Sequence, residues 1–282
     1  YLLLRQYLIR NMIEISILNI ISFLLIFFIG LPHGSFDGAV ASLVGFKTKS
    51  QFTKFIIYYL ILFFFVIFFW LYFPILSLFI FLTMTIAHFG LCDWTNFKIQ
   101  KHKYAISFTY GMTIIFGIIF FNEYQSFKIF EYLTNNKIYY YQNYVFIPYV
   151  LTLLSIIYFI ILSFNEIKLR RGILEIIFLL FIFYIFDPLL SFAIYFCFFH
   201  TYKHLKHLLS NVYLHLSNKK FVLYSTLIFT IFSWLSGIFV ILFLVQNYTL
   251  YESILKVIFI GLAALTLPHM ILVDLVYRRR YK

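Results

Sequence analysis

Long apolar runs alternate with short polar breaks along this chain, and the runs set the architecture. Nine stretches reach spanning or near-spanning length: approximately 12–31, 52–72, 75–92, 104–121, 143–164, 171–187, 189–209, 220–246 and 253–276. About 20 apolar residues wound as a helix cross the hydrocarbon core of a bilayer, so the runs predict membrane helices. Pro74 and Pro188 each divide a pair of runs with almost no polar loop between them. Either break fits a tight hairpin or a kinked span, which gives eight to nine spanning helices. The expectation is an all-α, polytopic transmembrane bundle, with residues 1–282 forming a single integral membrane domain. No long-period repeat or low-complexity linker interrupts it.

Composition agrees with the pattern. The chain is 63% hydrophobic and 11% charged, where a soluble domain carries about 25% charged residues. Its net charge of +12 is no sign of a nucleic-acid partner, because the basic residues fall between apolar runs. The partner they imply is the lipid bilayer. If nine segments alternate, 17 of the 22 Lys and Arg residues collect on one side, among them Lys47, Lys98, Arg170, Lys203, Lys219 and Arg278. Positive residues stay cytoplasmic. The expected orientation is therefore N-terminus outside and C-terminus cytoplasmic, in the cell (inner) membrane. Cys92 and Cys197 lie inside apolar segments without a CxxC pair and read as small buried residues.

Four places break the apolar pattern with histidine: GLPHGSFDG, TIAHFGLCDW, FFHTYKHLKH and LTLPHMILVD. They contain His33, His88, His200, His204, His207 and His269. Polar side chains are costly in lipid and mark functional interiors. All four places lie near the ends of odd-numbered segments, so the predicted topology sets them at similar depth near the cytoplasmic leaflet. Residues i, i+4 and i+7 share a helix face, which puts His200, His204 and His207 on one stripe. His102 and His215 fall in predicted loops beside lysines and read as solvated.

Asp37, Asp93 and Asp274 follow His33, His88 and His269 by four or five residues. A metal-bound imidazole usually donates its other N–H to a carboxylate or carbonyl, so these aspartates are candidate partners of the ligands; capping a helix at the interface is their other reading. Gly30, Gly34, Gly38 and Gly90 surround the first two histidines and would let helices approach closely. A neutral imidazole site suits iron, zinc or copper better than magnesium or calcium. Thiolate ligation by Cys92 or Cys197 is the lesser alternative. Two other functions share parts of the pattern. A di-iron desaturase or hydroxylase acting on a lipid needs more histidines, clustered as HH pairs. A metal or proton transporter needs polar residues spread through the membrane depth.

GLPHGSFD, AHFGLCDW, FFHTYKHLKH and LPHMILVD, in this order, resemble the Brp/Blh family of membrane-bound β-carotene 15,15′-dioxygenases. The resemblance covers roughly residues 20 to 276. It implies a multi-pass helical enzyme that cleaves the central 15,15′ double bond of β-carotene with O₂ and yields two retinal molecules. It also implies an Fe(2+) cofactor and a functional link to a retinal-binding rhodopsin. The family's iron-binding histidines match His33, His88, His200 and His204. That leaves His207 and His269 as neighbours of the metal rather than ligands.

Overall fold

The computed structural model describes residues 16–93, 102–138, 146–165, 169–215 and 219–277, and every regular element among them is helical. In chain order the helices are α1 (Ile17–Leu25), α2 (Asp37–Leu43), α3 (Lys49–Tyr72), α4 (Pro74–Asp93), α5 (Lys103–Phe121) and α6 (Glu123–Leu133). They continue as α7 (Phe146–Asn165), α8 (Arg170–Ile185), α9 (Pro188–Ile194), α10 (Thr201–His215), α11 (Lys219–Leu244) and α12 (Leu250–Met270). Three wide π turns, Ile26–Gly30, Tyr195–His200 and Ile271–Tyr277, and one 3₁₀ turn, Leu31–Phe36, are set between or after them.

The described residues contain seven helices long and apolar enough to cross a membrane: Ile17–Leu43, Lys49–Tyr72, Pro74–Asp93, Lys103–Phe121, Phe146–Phe164, Lys220–Leu244 and Leu250–Asp274. The chain is thus a polytopic helical membrane protein. The other two predicted spans are also helical but fall outside that set. Gly172–Ile185 is apolar and short, whereas α10 mixes Lys203, His204, Lys206 and His207 into its length. Both prolines start new helices rather than kinking old ones. Pro74 opens α4 after Phe73 leaves helical geometry at φ −127°, ψ 60°. Pro188 opens α9, with the Asp187 carboxylate accepting from the backbone N–H groups of Leu189 and Leu190. A proline at the first helical position costs nothing, since its missing N–H would have had no helical partner.

The first predicted segment differs most from expectation. It does not end near His33. A continuous helical path runs through the π turn and the 3₁₀ turn to Leu43. The π turn alters the helical hydrogen-bond pattern, and the indole N–H of Trp234 donates to the Phe27 carbonyl at 2.8 Å. α6 was not foreseen either. Its polar residues Glu123, Gln125, Lys128 and Glu131 hide it from any apolar-run criterion.

The chain folds as two compact units. One comprises Tyr1–Ser77 with Leu205–Lys282. Within it α3 packs on α12, and α11 packs on α12, on α2 and on the 3₁₀ turn. Thr48 and Thr249 close capping boxes at the starts of α3 and α12, each satisfying otherwise open helix N–H groups. Most large side chains of α3 and α11 point outward as exposed Phe, Leu, Ile and Tyr, which is what a lipid-facing helix requires.

The other unit, Leu78–His204, is organised around α5. That helix buries Ile106, Tyr110, Ile114, Ile118 and Ile119 and packs on α7, α8 and α9. Thr113 donates to Ser155 of α7 at 2.9 Å, and Asn122 donates to the Phe183 and Phe186 carbonyls that end α8. α4 and α5 approach backbone to backbone. A Cβ at Gly90 would sit 1.8 Å from the carbonyl oxygen of Ser107, and one at Gly111 would sit 2.0 Å from that of Ile86. Only glycine fits either position. Of the glycines singled out in the sequence, Gly90 does this work; Gly34 has open space around it, and Gly38 abuts the movable ring of Phe229.

Candidate metal centre

The α4–α5 crossing fixes the last two turns of α4, and these carry His88, Cys92 and Asp93. The π turn after α9 carries Tyr195 and His200, and His204 follows one turn later on α10. All six side chains are buried. The rings of His88 and His200 lie 5.1 Å apart, those of His88 and His204 6.2 Å, and those of His200 and His204 6.0 Å. The last two stack at 10°, as an i, i+4 pair on one helix face must.

Cys92 is buried, as expected, and stands inside this group. Its Sγ is 3.6 and 3.7 Å from the two ring nitrogens of His88 and 3.7 Å from Nδ1 of His204. One ligand atom from each of His88, Cys92 and His200 lies within 4.8 Å of the others. Cys92 follows His88 by four residues, so the spacing that pairs His200 with His204 was present in the sequence here too.

Asp93 serves His200 rather than His88. Its Oδ1 is 3.1 Å from His200 Nδ1, and its Oδ2 accepts from the Tyr195 hydroxyl at 2.9 Å. If Asp93 is ionised it can only accept, and the contact would then put the imidazole proton on Nδ1 and the lone pair on Nε2. Lys203 Nζ lies 3.8 Å from Asp93 Oδ2 and pairs with Glu175, which also accepts from Tyr110. Lys203 and Glu175, both half-buried, thereby extend the polar network outward from the buried Asp93. Nothing in the sequence separates Tyr110 and Tyr195 from the other 22 tyrosines; only packing does. Phe89 and Phe196 close the apolar side, their rings 4.5 and 5.9 Å from that of His200.

The other unit holds a second arrangement of the same kind. Asp37 Oδ1 is 2.7 Å from His269 Nδ1, and Asp37 Oδ2 accepts from Tyr59 at 2.9 Å. Asp37 thus engages His269, 232 positions away, while Asp274 sits half-buried in the π turn beyond it. His33 lies in the 3₁₀ turn Leu31–Phe36 and His207 on α10. The side chains of both fall outside the described residues. His102 is exposed, as expected.

The donor set fits a transition metal. Clustered imidazoles with a thiol are borderline-soft, the ligand type that iron, zinc and copper share. The carboxylate on His200 is the customary support of a metal-bound histidine. Fold and site together define a polytopic membrane protein with a buried cluster of histidine, cysteine and aspartate side chains of the metal-ligand type.

Comparison with known proteins gives the family. The chain belongs to the beta-carotene 15,15'-dioxygenase family, whose model matches residues 24–277. It is similar to the protein named Beta-carotene 15,15'-dioxygenase from the uncultured marine bacterium 66A03, with 31% identity over 90% of this chain and 92% of that one. The chain is accordingly an enzyme of the dioxygenase class. No solved structure matches it.

Proposed function

We propose that this protein uses Fe(2+) and O₂ to cleave the central 15,15′ double bond of β-carotene, giving two molecules of all-trans-retinal. The observation that carries the reading is the buried cluster at His88, Cys92 and His200, which lies within the region matching the family. His88, His200 and His204 are the proposed iron ligands in this cluster, and His33 joins them on the strength of its PHG motif alone. Bound there, iron would supply the one-electron chemistry that lets ground-state O₂ attack an alkene.

The chain's own residues do the rest. Asp93 holds His200 in the tautomer whose Nε2 bears the lone pair. Tyr195 occupies the other carboxylate oxygen and keeps Asp93 from turning away. Phe89 and Phe196 exclude water and offer a flat apolar surface to a polyene. Holding one particular double bond beside the metal is the protein's contribution to selectivity. A substrate this apolar enters from the bilayer, so no aqueous cleft is needed. The enzyme sits in the cell (inner) membrane with its N-terminus outside and its C-terminus cytoplasmic. Its retinal feeds a retinal-binding rhodopsin.

Expression in carotene-accumulating bacteria tests this directly. The expected result is bleaching with retinal formation that requires iron. Membrane-inserted, iron-loaded protein that leaves β-carotene intact would overturn it. One iron per chain is expected from the ligand set; a coupled pair of irons would favour a lipid desaturase or hydroxylase.

A further inference from the structure

Lys203 lies between His200 and His204 on one helical path. The three are i, i+3 and i+4, so the ammonium shares a face with both imidazoles. A lysine near a membrane surface gains by extending its head toward water, and Lys206, three residues on, is exposed. Lys203 turns inward instead. Its Nζ lies 3.8 Å from Asp93 Oδ2, pairs with Glu175 Oε1 and sits 5.5 Å from the centre of the Tyr110 ring. Glu175 accepts from the Tyr110 hydroxyl as well. One ammonium thus joins α10 to α4, α5 and α8, all within the Leu78–His204 unit.

These contacts reach the candidate metal centre through Asp93. Its side chain is fully buried, whereas those of Lys203 and Glu175 are 22% and 23% exposed. Lys203 and the Tyr195 hydroxyl both approach Oδ2, and Oδ1 faces His200 Nδ1 at 3.1 Å. The last side-chain torsion of an aspartate is broad. Two contacts on one oxygen narrow it and keep the other oxygen on His200. Glu175 in turn anchors Lys203, whose flexible four-carbon stem otherwise samples many rotamers.

Two other uses of the network fit less well. The cleavage proposed above converts one C=C bond and one O₂ into two C=O bonds. It takes up no proton and no outside electron, so turnover needs no relay to the surface. As a plain ion pair, Lys203–Glu175 would contribute at most about 1 kcal/mol at this exposure, which leaves its aim at Asp93 without a reason.

We propose that Lys203 and Glu175 are positioning residues of the metal centre, which act on His200 by fixing the Asp93 carboxylate. The proposal rests on the reading above that the cluster at His88 and His200 binds iron.

The test uses the full chain, purified in detergent and titrated anaerobically with Fe(II), with Co(II) as a spectroscopic probe. Lys203→Met should weaken iron binding about three- to tenfold, less than the about 10- to 100-fold expected of losing Asp93 itself. It should shift the visible Co(II) spectrum in the same direction as Asp93→Asn. Lys203→Arg, which keeps a cation that pairs with carboxylates, should restore most of the affinity. Glu175→Gln should weaken binding less than Lys203→Met. In an Asp93→Asn chain, Lys203→Met should have no further effect, because its route to His200 is already cut. Parent-like affinity and Co(II) spectrum in Lys203→Met overturn the proposal. So does an equal loss with and without Asp93, which would mark a merely structural role. Should Lys203→Met fail to insert, Glu175→Gln with parent-like affinity and spectrum overturns it as well. His200→Ala run in parallel separates the two claims. If it binds iron as the parent does, the metal centre is misassigned and both fall; if it loses iron while Lys203→Met does not, only the positioning role falls.

Discussion

The two units carry the same carboxylate–histidine–tyrosine device in different settings. In the Leu78–His204 unit it adjoins two more histidines and a thiol, and a polar network through Lys203 and Glu175 backs it. In the other unit the described partners of Asp37 are His269 and Tyr59. The frames differ as well. Gly90 and Gly111 lock α4 against α5 backbone to backbone, while Gly38 meets the side chains of Phe229 and Phe52. The backbone-to-backbone crossing falls in the unit where three imidazoles and a thiol converge.

Several substitutions would break or sharpen that contrast, the strongest at the ligands. His88→Ala or His200→Ala should bring retinal formation below detection and strip the bound iron, measured by metal analysis of purified protein. Chelation of the parent should have the same effect and reverse with Fe(II). Next comes the helix crossing. Gly90→Ala should cost at least the about 1–3 kcal/mol typical of overpacking, because its Cβ meets backbone. Gly38→Ala should cost under about 1 kcal/mol, because the Phe229 ring can rotate away. Thermal unfolding in detergent compares them, and equal effects would contradict the proposed difference in rigidity.

Smaller effects test the support of His200. Asp93→Asn should lower iron affinity about 10- to 100-fold while leaving the ligands in place. Tyr195→Phe removes one hydrogen bond to Asp93, worth about 1 kcal/mol, and should lower affinity by less than about tenfold. Cys92→Ala should change iron content least of all, within about twofold, if the imidazoles are the ligands. A large loss of iron would make the thiol a ligand in its own right, which its 3.6–3.7 Å separations from the histidines allow.

Much of the molecule was legible in the residue pattern. Apolar runs located nine helical stretches because the bilayer demands that length and that composition. Histidine in such runs is conspicuous because lipid punishes it, so His88, His200 and His204 stand out in the sequence. The carboxylates stood out for the same reason, but their partners did not. Sequence neighbourhood points from Asp37 to His33 and from Asp93 to His88; the contacts described in the folded chain are with His269 and His200. Hydrogen-bond partners follow from where helices cross, and no spacing along one helix encodes that.

Tyr59, Tyr110 and Tyr195 were invisible for a related reason. In a chain with 24 tyrosines, composition carries no signal, and a hydroxyl acquires a role only when packing sets it against a carboxylate. Helix existence, apolar faces and candidate ligands are local properties, and the sequence by itself determined them. The π turns, the glycine crossing and the pairing of each aspartate arise from contacts between distant segments. Those belong to the tertiary structure, where close packing leaves few positions for each side chain.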